Sequence, residues 1–487
     1  MAISSIDIRR SHAVWTGAIG ALVALSAWLA VGLELWYAAL LPGVLLVVGV
    51  GFYRFRYLYL ILGASLPLSV EVELPGGLGT DFPSEQLMWA LTGISLLWLA
   101  RYWRHIPAFY LRHPITLLLL AHLGWLSLCV LTSQAFSISF KHLLAKGWYV
   151  VTFYFLALGI FRSERDFRRF FVWTAIPLVL TVLYVFARHA AIGFSFDRVN
   201  SVVGPFYRNH VMYACFPAIF LPFFWYRIMG VRRWSATWLL LLLSMLLLLA
   251  AINFAYTRAA YVALLAAVAL YWVVRMRALK LALLAFAFGM AVFIGFVAKG
   301  DNWLRFAPNY ERTITHTRFE SLLEATTRLE DISVMERVYR WVAGVYMVQD
   351  RPLTGFGPGS FYFFYQNYTV NSFKTYVSDN PERSGMHNYY LMTAVEQGIP
   401  GLIFFLVFSI GLLLYGERVY HQTRGAEARR FVAAAILCFA SILLLMLMND
   451  FVETDKIGSF FFISAALIVR ADRNNRKEAS NQALLQR

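Results

Sequence analysis

Apolar residues run in long blocks along nearly the whole chain, separated by short polar breaks. A block of about 20 apolar residues is what a helix needs to cross a hydrocarbon layer of about 30 Å, because each residue advances about 1.5 Å. The blocks predict spanning helices near residues 14–31, 34–52, 57–70, 84–100, 114–132, 144–161, 169–187, 211–226, 236–256, 259–274, 281–298, 399–415, 431–448 and 457–469. The first follows Arg9 and Arg10 and is too long for a signal-peptide core, so it reads as a retained span. The expected fold class is all-α: a polytopic helical membrane protein of about 12 to 14 transmembrane helices, with a large helical loop outside the membrane near the C-terminal end.

The pattern divides the chain into residues 1–298, a first set of helices with short loops; 299–398, an outer helical domain ending in a re-entrant His-Asn helix; 399–470, the last spans; and 471–487, a polar tail. Within the outer domain, Glu311–Leu329 mixes charges with His316, Phe319 and Leu323, as an amphipathic helix does. A second helix, Ile332–Val348, carries Val334, Val338, Trp341, Val345 and Val348 along one face. Asp350-Arg351-Pro352 stops it, and GFGPG turns the chain. A shorter loop, Val70–Glu85, is acidic and rich in turn residues.

Composition agrees with the pattern: 60% of the 487 residues are hydrophobic and only 14% charged, which excludes an ordinary soluble fold. The net charge of +16 follows the membrane and not a nucleic acid. Lys and Arg concentrate in alternate short loops, which places both termini in the cytoplasm and the acidic loop and large domain outside. Cys129, Cys215 and Cys438 lie far apart in apolar runs, a pattern of neither disulfides nor zinc. GFGPGS lacks the lysine of a phosphate-binding loop, and no metal-ligand spacing occurs, so neither metal nor cofactor is expected.

Cations placed against the charge rule stand out. Arg208 in GPFYRNH and Arg258 in NFAYTRAAY both fall at helix ends on the outer boundary. Guanidinium forks there either snorkel to headgroups or hold an anion such as a phosphate; two on one face favour the anion. His387 starts an amphipathic helix where the outer domain returns to the membrane, beside Asn388, and an imidazole there suits proton transfer near neutral pH. Arg337 and Trp341, one turn apart, present a cation and a flat ring to a sugar, or else are a surface Arg and a packed Trp. Glu396 lies about 180° round a straight helix from His387 and reads as structural.

The motifs R-x-x-x-W at Arg337–Trp341, D-R-P-L-x-G-x-G at Asp350–Gly357, H-N-x-x-L at His387–Leu391 and E-x-G-I-x-G at Glu396–Gly401 resemble those of the bacterial O-antigen ligase and O-antigen polymerase superfamily, membrane glycosyltransferases of the GT-C type. The likeness covers residues 200–415 best. The segment YRNH departs from it, since relatives often carry an Asn- or His-rich string without Arg there. The resemblance implies an enzyme of the bacterial inner membrane that moves a glycan from undecaprenyl diphosphate to a sugar hydroxyl on the periplasmic face, without metal and with inversion. It also implies that Arg208 and Arg258 hold the donor diphosphate, that His387 activates the acceptor, and that Arg337, Trp341 and Asn388 support the glycan. The acceptor is a lipid A core sugar for a ligase or a lipid-linked repeat unit for a polymerase, the latter slightly favoured. A lipid-linked glycan flippase and a protein O-oligosaccharyltransferase are the competing readings; the first calls for internal repeats and ionisable residues deep within spans.

Overall fold

The computed structural model describes residues 24–26, 41–74, 78–102, 104, 107–300, 302–306, 332–374, 378 and 385–485. Most of the span expected at 14–31, the start of that at 34–52, the helix expected over Glu311–Leu329 and most of the SDNPERSG stretch lie outside these residues. The chain is an all-α polytopic membrane protein. Among the described residues nine helices are long and apolar enough to cross a membrane, from Pro114–Leu131 to Ala426–Leu445. The expected break at Tyr53–Arg56 is a kink in the helix Leu41–Leu68, where Arg54 leaves helical geometry.

Hydropathy locates the spans but not the core. The helix His210–Ile228 is the least apolar of the nine, yet 83% of its span is buried; Leu279–Ala298 is the most apolar, and none of its span is buried. In lipid no hydrophobic force drives apolar helices together, so shape and van der Waals contact decide which go inside. His210–Ile228 packs against Ala426–Leu445, Ala236–Phe254 and Arg258–Arg275. Phe460, from the final helix Asp455–Leu485, inserts among Phe170, Phe216, Phe220 and Phe223, meeting the Phe220 ring edge-on at 5.1 Å. Such edge-to-face pairs add roughly 0.5–1.5 kcal/mol each beyond burial.

The acidic loop is a hairpin. Strands β1, Val70–Leu74, and β2, Leu78–Phe82, pair antiparallel, with Glu71 opposite Asp81.

Two family-type motifs form one structural unit. The long helix Tyr389–Gln422 breaks at Gly398, where φ is +71°. The break frees backbone groups, and the D-R-P-L-x-G-x-G loop takes them up: Ile399 N–H donates to the Pro352 carbonyl at 2.8 Å, while Phe356 and Gly357 N–H donate to the Val395 and Glu396 carbonyls at 3.0 Å. The freed Gln397 carbonyl accepts from the Trp125 indole at 2.9 Å. A Cβ on Gly398 would lie 2.0 Å from the Leu353 carbonyl oxygen, and one on Gly355 would lie 2.4 Å from that of Val395, so both positions require glycine. Glu396 accepts the Phe361 N–H at 3.2 Å, which gives it the structural duty expected of it, through the loop and not through the helix end.

The helix Ile332–Asp350 buries a different face from the valine stripe expected. Met335, Tyr339, Ala343 and Met347 are buried together with Glu336 and Arg340, while Val345 is 47% exposed. It packs on the start of the Tyr389 helix, where these side chains join Met386, Tyr389 and Met392 in the core while Arg340 and Trp341 bond to the backbone of Gly385 and Met386.

Candidate functional site

The starts of three helices lie together at the end of the bundle that carries the hairpin. Asn209 caps His210–Ile228 by accepting the Met212 N–H at 2.9 Å, and Asn388 caps Tyr389–Gln422 by accepting that of Leu391 at 3.0 Å. Each cap is worth about 1 kcal/mol. Each also fixes the residue before it, Arg208 in one case and His387 in the other. The third helix starts at Arg258, and the preceding Thr257 donates its hydroxyl to the His210 carbonyl at 3.4 Å. Helix starts carry partial positive charge, so their grouping favours an anion.

His387 adopts φ of +57°, a left-handed conformation that costs an ordinary residue roughly 1–2 kcal/mol. Its neighbours over-determine it. Arg340 Nη1 donates to the Gly385 carbonyl, and Trp341 Nε1 to the Met386 carbonyl, both at 3.0 Å. The Asp450 carboxylate accepts the His387 N–H at 3.0 Å, and Tyr389 N–H donates to the Met446 carbonyl at 2.9 Å. Trp341 therefore spends its polar edge on the backbone that presents the imidazole. Asn388 likewise spends its side-chain oxygen on the helix cap.

The imidazole is half-buried and surrounded by cations. Burial, with Arg337, Arg340 and Arg208, lowers its pKa to about 3, so it is neutral at physiological pH. Arg208 is well exposed and faces Glu71 of the hairpin at 3.8 Å. Arg340 is buried and pairs with Glu336 at 3.6 Å, while Ser378 donates to Glu336 at 2.6 Å. Arg208, Arg337, Trp341, Asn388 and His387 thus fall in one neighbourhood, with Arg258 adjoining through Thr257.

Reading the sequence did not single out Asp450, Glu453 or Lys146. Glu453 accepts from Lys146 Nζ at 2.7 Å and from the Tyr389 hydroxyl at 2.9 Å, with His142 at 3.5 Å. Desolvation alone would raise its carboxyl, but Lys146 and His142 hold it down at about 2. Lys146 carried a usable signal, since a lysine inside an apolar span calls for a partner. Asp450 carried less. It follows an apolar run at the far end of a span, 63 residues from the histidine it serves.

Residues 243–406 match the O-antigen ligase family. Over that region, about a third of its length, the chain is similar to O-antigen ligases. The matched region holds Arg258, Arg337, Trp341, His387, Asn388 and Glu396, whereas Arg208 and Asp450 lie outside it. No curated protein matches the chain. The match supports ligase- or polymerase-type glycosyl transfer, with a lipid-linked glycan and an acceptor glycan as partners in general terms. A neutral imidazole, guanidinium groups and helix starts in one place are the chemistry such a transfer needs.

Proposed function

We propose that the protein transfers a glycan from undecaprenyl diphosphate to a sugar hydroxyl, on the periplasmic face of the bacterial inner membrane. The observation that carries this reading is the gathering of Arg208 with Arg337 and Arg340 of a distant helix around a neutral His387. Negative charge grows on the diphosphate as its bond to the sugar breaks, and cations fixed in a water-poor site stabilise that charge. Arg208 and Arg258 hold the diphosphate in this scheme, and Arg337 adds to the field.

His387 accepts the acceptor hydroxyl's proton while the hydroxyl oxygen attacks the anomeric carbon, and the diphosphate departs from the opposite face with the bonding electron pair. The anomeric centre inverts in one step. A bound diphosphate offsets the cations that hold the imidazole's basicity down, so donor binding makes His387 a better base at the moment one is needed. Trp341, Asn388 and Asp450 act through position, by fixing the backbone on either side of the imidazole.

Purified protein in liposomes with a synthetic lipid-diphosphate glycan tests the scheme. His387→Ala lowers turnover by roughly a thousandfold with donor binding intact, as expected for loss of a general base. Arg258→Ala weakens donor binding by about tenfold or more, the usual value of a charged hydrogen bond. Full turnover by His387→Ala rules out the base. A polysaccharide gel of a knockout strain separates the acceptors. Bare lipid A core with accumulated lipid-linked polymer means ligase; attachment of single repeats means polymerase.

A further inference from the structure

Behind the hairpin lies a polar cavity of about 190 Å³, lined by Glu71, Thr80, Asp81, Glu85, Lys146 and Glu453 among others. It borders the His387 site at two points. Glu71 faces Arg208, and Glu453 bonds to Tyr389, two residues beyond the histidine.

Its four carboxylates are not all spent on holding the fold. Glu85 accepts from Thr80 and from the Asp81 N–H, and Glu453 is engaged by Lys146. The Asp81 carboxylate has no hydrogen bond or ion pair among the described residues, although burial and Asp455 raise its pKa to about 7. Glu71 stands directly opposite it across the hairpin, and like charges so placed destabilise a strand pair. Among the described residues no three acidic, His or Cys side chains come close enough together to hold a metal ion. The carboxylates spread around the walls instead, as they would around a ring of hydroxyls, each of which donates a hydrogen bond outward.

Resting on the glycosyl-transfer reading, we propose that this cavity is the acceptor-sugar subsite, and that it takes a pyranose bearing neutral or amino substituents while rejecting one bearing phosphate or carboxylate. Sugar hydroxyls suit carboxylate acceptors, and a ring amine suits them better. The donor's first sugar sits one bond from a diphosphate, which the net acidic walls repel and the arginines on the other side attract. The cavity therefore fits the partner that carries no phosphate at its reacting ring. An acid-substituted sugar would bring a further negative charge beside Glu71, Glu85 and Glu453, which Lys146 only partly offsets.

The experiment uses the full-length protein in liposomes with one lipid-diphosphate glycan donor and a matched set of methyl glycosides: neutral hexose, amino sugar, uronic acid and hexose phosphate. Wild-type kcat/KM for the neutral and amino acceptors exceeds that for the acidic pair by about tenfold or more. Asp81→Asn, which preserves shape, raises the acceptor KM several-fold and leaves donor KM and unfolding temperature unchanged, and Asp81→Lys narrows or reverses the preference. Direct binding of the methyl glycosides, followed by saturation-transfer NMR on wild type and Asp81→Asn, reads the subsite without turnover. Loss of transfer from every donor would thus count against the glycosyltransferase reading alone. Equal use of acidic and neutral acceptors overturns the proposal. So does an Asp81→Asn variant that weakens donor binding in place of acceptor binding.

Discussion

The helix Leu279–Ala298 and the segment 385–401 are opposite ways of placing a chain at a membrane. The first is apolar all round, and none of its span is buried, so lipid is its principal neighbour and almost any apolar residue serves. In the second, the backbone from Gly385 to Tyr389 is tied to other parts of the chain, and so is the break at Gly398. Apolarity places the first helix in the bilayer; hydrogen bonds place the second to within a fraction of an ångström. The proposed chemistry falls in the second, as a proton transfer that tolerates little displacement requires.

Substitutions that exploit this contrast rank by size. Gly398→Val forces a side chain onto the Leu353 carbonyl in a left-handed conformation, and costs about 3 kcal/mol or more. Thermal unfolding in detergent and loss of transfer report it together; an unfolding temperature equal to wild type would show that the loop does not depend on the break. Phe460→Ala opens the aromatic core and costs about 3 kcal/mol, whereas Phe288→Ala, on a ring 73% exposed in the lipid-facing helix, stays within about 0.5 kcal/mol. Equal costs for the two would erase the distinction between the regions.

Asp450→Ala releases the His387 N–H and lowers kcat by about tenfold to a hundredfold with donor binding unchanged. Asp450→Asn, which keeps an acceptor oxygen, recovers part of the loss; identical defects in both variants would point to charge and not to position. The smallest effect is a titration. In the free protein the His387 pKa lies near 3 against an ordinary 6.5. The unfolded chain binds the proton first as pH falls, so this residue's contribution to stability is lost on going from pH 6.5 towards 3. Histidine hydrogen exchange followed by mass spectrometry should find His387 neutral at pH 5, with its pKa moving upward when pyrophosphate is added. An unshifted pKa near 6.5 would contradict the cationic surroundings.

Much of this was legible in the residues. Span positions follow from apolar length, the motif at 350–357 follows from its glycines and proline, and the unusual placement of Arg208 and Arg258 follows from the charge rule. The rotation of Ile332–Asp350 was not legible, because the helix carries a second apolar face, Met335, Tyr339, Ala343 and Met347, and only packing against the Tyr389 helix decides which of the two is buried. Nor was the hairpin, whose acidic residues read as a loop until strand pairing brought Glu71 and Asp81 face to face. Asp450 and Glu453 were hidden for a third reason. Their partners are distant in sequence, and a carboxylate after an apolar run has the same composition whether it faces solvent or a histidine.

The break at Gly398 also bears on protein engineering. Because the 350–357 loop supplies the hydrogen bonds that an unbroken helix would make for itself, neither piece is complete alone. A graft that exchanges the segment ahead of the break between relatives must move its seat, through Gly401, along with it. A junction drawn at the membrane boundary would leave bare amide and carbonyl groups facing hydrocarbon.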